Sequence, residues 1–199
     1  MQEPSEKPGT RERIIAEAEV LLLQGGYSAM SLEAVAQAVG IRKPSLYHHF
    51  PNGKEELFVA IAEARTACDE KLISSRLANR TDVVGRLQAL ARHFADCAGY
   101  RPYRAIMDST SALPVERGDY VRKLIVDRVE KPVRDVIAFG LEEGTLGNED
   151  PELAIRIFLN LLLVIASFDN DPHAEGLPER IVAFYLRGLG SALAPEVGS

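Results

Sequence analysis

The side chains best placed to act on another molecule lie between Ser31 and Lys54, in the stretch SLEAVAQAVGIRKPSLYHHFPNGK. A short helix opens there at Lys43 and Pro44, because proline suits a first helical position. At 100° per residue, Leu46 and Phe50 share one of its faces, while Pro44, Ser45, Tyr47 and His48 point away. Hydroxyl, phenol and imidazole groups on that outward face, with Arg42, Lys43 and Lys54 close by, suit hydrogen bonding to base edges and phosphates in a major groove. Between Ala34 and Lys54 there is no acidic residue. Phosphate binding responds to that local field rather than to the total charge of the chain.

Bond-making chemistry has less support. The sequence holds no GxSxG, HExxH, phosphate-binding loop or dinucleotide fingerprint, so an enzyme is not expected. His93 and Cys97 stand four apart on one helical face, but two mixed ligands fall short of the roughly four that close a metal site. Core packing is the favoured reading of that pair, and neither a metal nor a cofactor is expected.

Positioning the outward face takes a scaffold, and the punctuation of the chain supplies one. Apolar residues recur three and four apart with no sustained period-two run, which gives an all-α fold of about nine helices. Thr10 reads as the N-cap of a first helix that buries Ile14, Ile15, Ala18, Leu21 and Leu22 and stops at Gly25 and Gly26. Ser31 caps a second helix with Glu33 in its first turn, and Gly40 ends it. With small Ala36 four residues before that glycine, helices two and three have helix-turn-helix spacing. A tail at 1–9, a helix-turn-helix head at 10–53 and a larger body at 54–199 follow.

A long helix from Lys54 to about Asn79 connects head to body. Thr81 or Asp82 caps the next helix, Pro102 starts a short one ending at Pro114, and a helix from Glu116 to Glu143 is expected to bend at Pro132. The last two helices run over about 151–168 and 177–193. From Leu153 to Phe168, 13 of 16 residues are apolar. That segment is too short for a membrane span, which takes about 20, so it is either the central helix of the body or a subunit interface.

Composition fits this reading once it is divided. The 199 residues carry a net charge of -6, yet residues 1–54 balance six basic against six acidic side chains. The deficit lies wholly in the body, which leaves the head as the surface for a polyanion. With 46% hydrophobic and 26% charged residues the chain is neither disordered nor low-complexity, and two cysteines are too few for a stapled secreted scaffold. The start, MQEPSEKPGT, lacks the features of a signal peptide, so a cytoplasmic protein with a polar tail and no processing is expected.

The run AQAVGIRKPSLYHHFPNGKEELF resembles the hallmark of the tetracycline-repressor (TetR) family: a Gly-hydrophobic turn, then LYxxF, then a Lys-Glu-x-Leu start to the fourth helix. The resemblance covers about residues 10–60, and Pro51-Asn52-Gly53 looks like a longer linker variant. It implies that the positions of Lys43, Pro44 and Ser45 face bases or adjoining phosphates, and that Tyr47 grips a phosphate. His48 and His49 would lie at or beside the groove, His49 being evenly placed between DNA contact and packing on the bundle. Lys54 and Ser31 resemble further phosphate contacts, and Arg42 is either another or a solvated charge. The resemblance also implies a homodimer through the last two helices on a two-fold symmetric double-stranded operator. A pocket for a small-molecule inducer is implied in the body, with His93, Phe94, Cys97, Tyr100, Tyr103, Met107, Phe139 and Phe158 as candidate lining. A ligand-released repressor is the expected function. The alternative is a DNA-binding regulator or architectural protein without a small-molecule effector, controlled by a protein partner.

Overall fold

A computed structural model describes residues 9–96, 100–147, 150–168 and 175–189. Every regular element among them is helical: α1 (Thr10–Ala29), α2 (Leu32–Val39), α3 (Lys43–His49), α4 (Lys54–Leu77), α5 (Val83–Asp96), α6 (Tyr100–Ser109), α7 (Val115–Ile125), α8 (Lys131–Glu142), α9 (Pro151–Ser167) and α10 (Leu177–Gly188). A 3-10 turn, Thr110–Ala112, follows α6, and a π-helical turn, Val126–Glu130, joins α7 to α8 without a break. Counted with that junction as one helix, the described residues hold the nine expected. None of these helices is long and apolar enough to cross a membrane.

The local signals act much as their chemistry dictates. The Ser31 hydroxyl accepts from the Ala34 amide at 3.1 Å and caps α2. Gly40 takes φ 75°, and the Ile41 amide then reaches the Ala36 carbonyl at 2.9 Å, closing the helix. Asp82, rather than Thr81, caps α5, accepting from the Gly85 amide at 2.6 Å, and Asp150 caps α9.

Two expectations shift. Gly9, not Thr10, sits at the N-cap of α1, where no side chain caps the helix, and Thr10 is already helical. At Pro132, where a bend was expected, the chain forms a π turn: the Lys131 amide bonds the Val126 carbonyl five residues back, which accommodates a ring that cannot donate to Arg128.

The contacts group the chain into two compact units. The described part of Met1–Arg65 with Pro102–Leu124 forms the first, and the rest forms the second. In the first, Ile14, Ala18 and Leu22 of α1, Val35 and Val39 of α2, Leu46 and Phe50 around α3, and Leu57, Phe58 and Ile61 of α4 are buried together. Two polar contacts tie α7 to α4 within this unit: the Tyr120 hydroxyl donates to the Glu63 carboxylate at 2.6 Å, and Arg117 pairs with Glu55 at 3.5 Å.

In the second unit Leu87 and Leu90 of α5, Val133 and Ile137 of α8, Phe158 and Leu162 of α9 and Val182 and Leu186 of α10 make the core. The buried Tyr185 hydroxyl donates to the Ala154 carbonyl at 2.9 Å and its ring packs on Phe158, joining α10 to α9. Burial raises the Tyr185 phenol above its ordinary range.

Candidate nucleic-acid interface

A seven-residue α3 has little stability of its own, so its orientation depends on what it buries. Leu46 and Phe50 are both fully buried and pin one face. Arg42, Lys43, Pro44, Ser45, Tyr47 and His48 are exposed and His49 is half-buried. Ser31 is exposed at the start of α2, its hydroxyl engaged in the cap.

Gly53, at φ 72°, turns the chain from α3 into α4. A Cβ there would meet Tyr47 Cε1 at 3.8 Å and Leu32 at 3.6 Å, so the Tyr47 ring lies against the turn that delivers Lys54. The site thus gathers a phenol and an ammonium at the α3–α4 junction, with the cations of Arg42 and Lys43 at the other end of α3. Such a surface can bind phosphates through charge and hydrogen bonds while short side chains approach base edges.

Residues outside the sequence-derived set complete the frame. The Lys54 ammonium sits 4.0 Å from the centroid of the Tyr27 ring, and that ring meets Phe58 edge-on at 5.4 Å. Burial lowers the Lys54 pKa. Tyr27 is raised, first by burial and then by the charge of Glu55, with Arg117 opposing. The Arg11 guanidinium lies over the Phe50 ring at 5.2 Å, and Arg13 donates to the Val39 carbonyl at 3.0 Å, latching α1 onto the end of α2. These pairings join residues 26 to 39 apart in the chain, which no helical period reports; only the aromatic after Gly25-Gly26 marks the place in sequence.

The candidate pocket residues are distributed differently. Cys97 lies outside the described residues, as does the Tyr100 side chain, although Tyr100 begins α6. Tyr103 and Met107 are half-buried in the first unit, whereas His93, Phe94, Phe139 and Phe158 belong to the second. His93 and Phe94 are buried with their rings in edge contact at 5.3 Å. The His93 Nε2 lies 3.7 Å from the buried Asp69 carboxylate, a partner the sequence did not suggest. Phe158 is fully buried, while Phe139 is 37% exposed beneath the Arg86 guanidinium. Among the described residues no cluster of three or more His, Cys, Asp or Glu could hold a metal ion.

Comparison with known proteins fits this geometry. Residues 14–61 match the family model for bacterial regulatory proteins of the tetR family. An uncharacterized HTH-type transcriptional regulator of Bacillus subtilis, YxaF, is 35% identical over 86 residues, spanning 43% of this chain and 45% of its own length. The chain thus spans about half of that relative. Among solved structures, PfmR, a TetR family transcriptional regulator from Thermus thermophilus, is 28% identical with a TM-score of 0.73, covering 96% of this chain and all of its own. AibR in complex with isovaleryl coenzyme A and operator DNA has a TM-score of 0.76 at 22% identity, covering 89% of this chain and 98% of its own.

Proposed function

From the premise that its N-terminal domain is a TetR-family helix-turn-helix domain, we propose that the chain is a transcriptional repressor that binds a two-fold symmetric operator as a dimer and is released by a small molecule. The observation that carries the DNA half is the exposed face of α3, held outward by buried Leu46 and Phe50. Lys43, Pro44 and Ser45 read bases or adjoining phosphates; Tyr47, Lys54 and Ser31 hold the backbone; Arg42, His48 and His49 flank them. One such head makes a small interface, and two heads one helical turn apart, about 34 to 36 Å, engage successive major grooves.

The dimer is supported by the last two helices. In a single chain Leu153, Ile157 and Val164 of α9 and Phe184 of α10 are exposed, Phe184 by 63%. An apolar groove of about 250 Å³ lies there, lined by Leu153, Ile157, Leu161, Phe184 and Leu189 among others. Such a continuous apolar face on a two-fold assembly is best covered by the same face of a second copy. A neighbour of this fold that binds both an acyl-coenzyme A and operator DNA supports the small-molecule half. The domain organisation proposed with it is a head at 10–53 and a ligand-binding and dimerisation body at 54–199 that opens with α4, Lys54–Leu77. An effector acts here only by its differential affinity for the two arrangements of the heads, so operator must weaken effector binding by the same factor.

Selection of duplexes from random DNA by the full chain tests this reading. We expect a two-fold symmetric site with half-site centres about one turn apart; enrichment of no sequence, or of an unrepeated one, would overturn it. Isothermal titration of the chain with isovaleryl-coenzyme A and related thioesters, with and without the selected duplex, then tests release.

A further inference from the structure

We propose that Tyr27 positions Lys54 for DNA: its ring face holds the ammonium at the start of α4, so that a backbone phosphate meets a cation already localised. This rests on the DNA-binding reading above and adds to it a residue that no base or phosphate touches.

The local chain builds the platform. Gly26, at φ 70°, breaks α1 one residue before Tyr27. The ring then meets two residues one turn apart on α4: Phe58, fully buried, at 5.4 Å with planes at 82°, and Lys54, whose Nζ stands 4.0 Å from the ring centroid. Phe58 braces the ring from the core side, and a face of the ring takes the cation.

The neighbouring carboxylates do not compete for that cation. Glu55 is paired with Arg117 at 3.5 Å, and Glu56 accepts from the Asn52 amide at 2.8 Å. Lys54 therefore rests on a neutral aromatic face, and among the described residues it has no salt bridge for an arriving phosphate to break. Lys54 is half-buried, and partial withdrawal from water strengthens the attraction to the ring. A lysine otherwise gives up much rotamer freedom on binding a phosphate, and holding it beforehand removes part of that cost. The Tyr47 ring lies against Gly53, the residue before Lys54, so the two side chains assigned to phosphates share one supporting turn.

The test replaces Tyr27 by phenylalanine and by pentafluorophenylalanine, which keeps the ring shape while reversing its electrostatic face, each with Lys54 intact and in a Lys54→Met chain. Binding is read on a short random-sequence duplex at low salt. Phenylalanine should leave affinity within about twofold. Pentafluorophenylalanine should weaken it about fivefold with Lys54 present and not at all with Lys54→Met. Equal losses in both backgrounds, or no loss with Lys54 intact, would show that the ring only packs, and would overturn the proposal while leaving DNA binding standing. Loss-free Lys54→Met on a chain that binds duplex overturns it likewise. A wild-type chain that binds no duplex overturns the DNA-binding reading itself, and this inference with it.

Discussion

Tyr47 and Lys54 are assigned the same target, the sugar-phosphate backbone, by different chemistry, and substitution separates them. Tyr47→Ala removes a hydrogen bond worth about 1 kcal/mol per head, roughly thirtyfold for two heads. Because phosphates carry no sequence information, that loss should be equal on every duplex in a competition assay. Lys54→Met removes a charge and should also reduce the slope of log affinity against log salt by about 0.9 per head. An unchanged slope would place Lys54 away from the backbone. The individual side chains of α3 were legible in sequence, because each is a local choice between the Leu46–Phe50 face and its opposite. The Tyr27 platform under Lys54 and the Asp69 partner of His93 were not, since each joins residues more than twenty apart that meet only through packing.

At the scale of elements, the turn into α3 depends on Gly40, whose φ of 75° leaves an added Cβ with open space but a strained backbone. Gly40→Ala should therefore cost about 1 kcal/mol, a few degrees in Tm by thermal melting, and Gly40→Asn less. The α9–α10 pair makes a second, pH-dependent prediction. Folding raises the Tyr185 pKa through burial, so the stability of its neutral form is fully present below about pH 10, the unfolded value. It is lost as the pH rises above that, when the unfolded chain ionises first. Denaturant unfolding should show Tyr185→Phe less stable by about 1 kcal/mol at neutral pH, from the lost bond to Ala154, with a shallower decline in alkali. Helix starts and stops were readable from Ser31, Gly40 and Pro44 because capping chemistry is local. Pro132 announces a disturbance of the helix but not its form, and the π turn that it takes keeps the neighbouring Lys131 amide bonded to Val126. The polar links of α7 to α4, Tyr120 to Glu63 and Arg117 to Glu55, have no sequence signal at all.

Across the whole molecule the charge division explains how an acidic chain can approach a polyanion: residues 34–54 hold no acid, and the surplus lies beyond them. The proposed assembly depends on the exposed apolar side chains of α9 and α10. Phe184→Asp, at a position 63% exposed in the single chain, should leave the fold intact while weakening self-association about a hundredfold, as sedimentation would show. A dimer of unchanged strength would move the interface elsewhere. The claim on which all of this rests is that the outward face of α3 reads DNA in duplicate, and it is tested most directly by repeating the duplex selection with Ser45→Asn. We predict that the preferred base changes at one position in each half-site, the two changes related by the two-fold axis, because asparagine favours adenine where serine does not discriminate. A consensus identical to that of the unaltered chain would contradict the account.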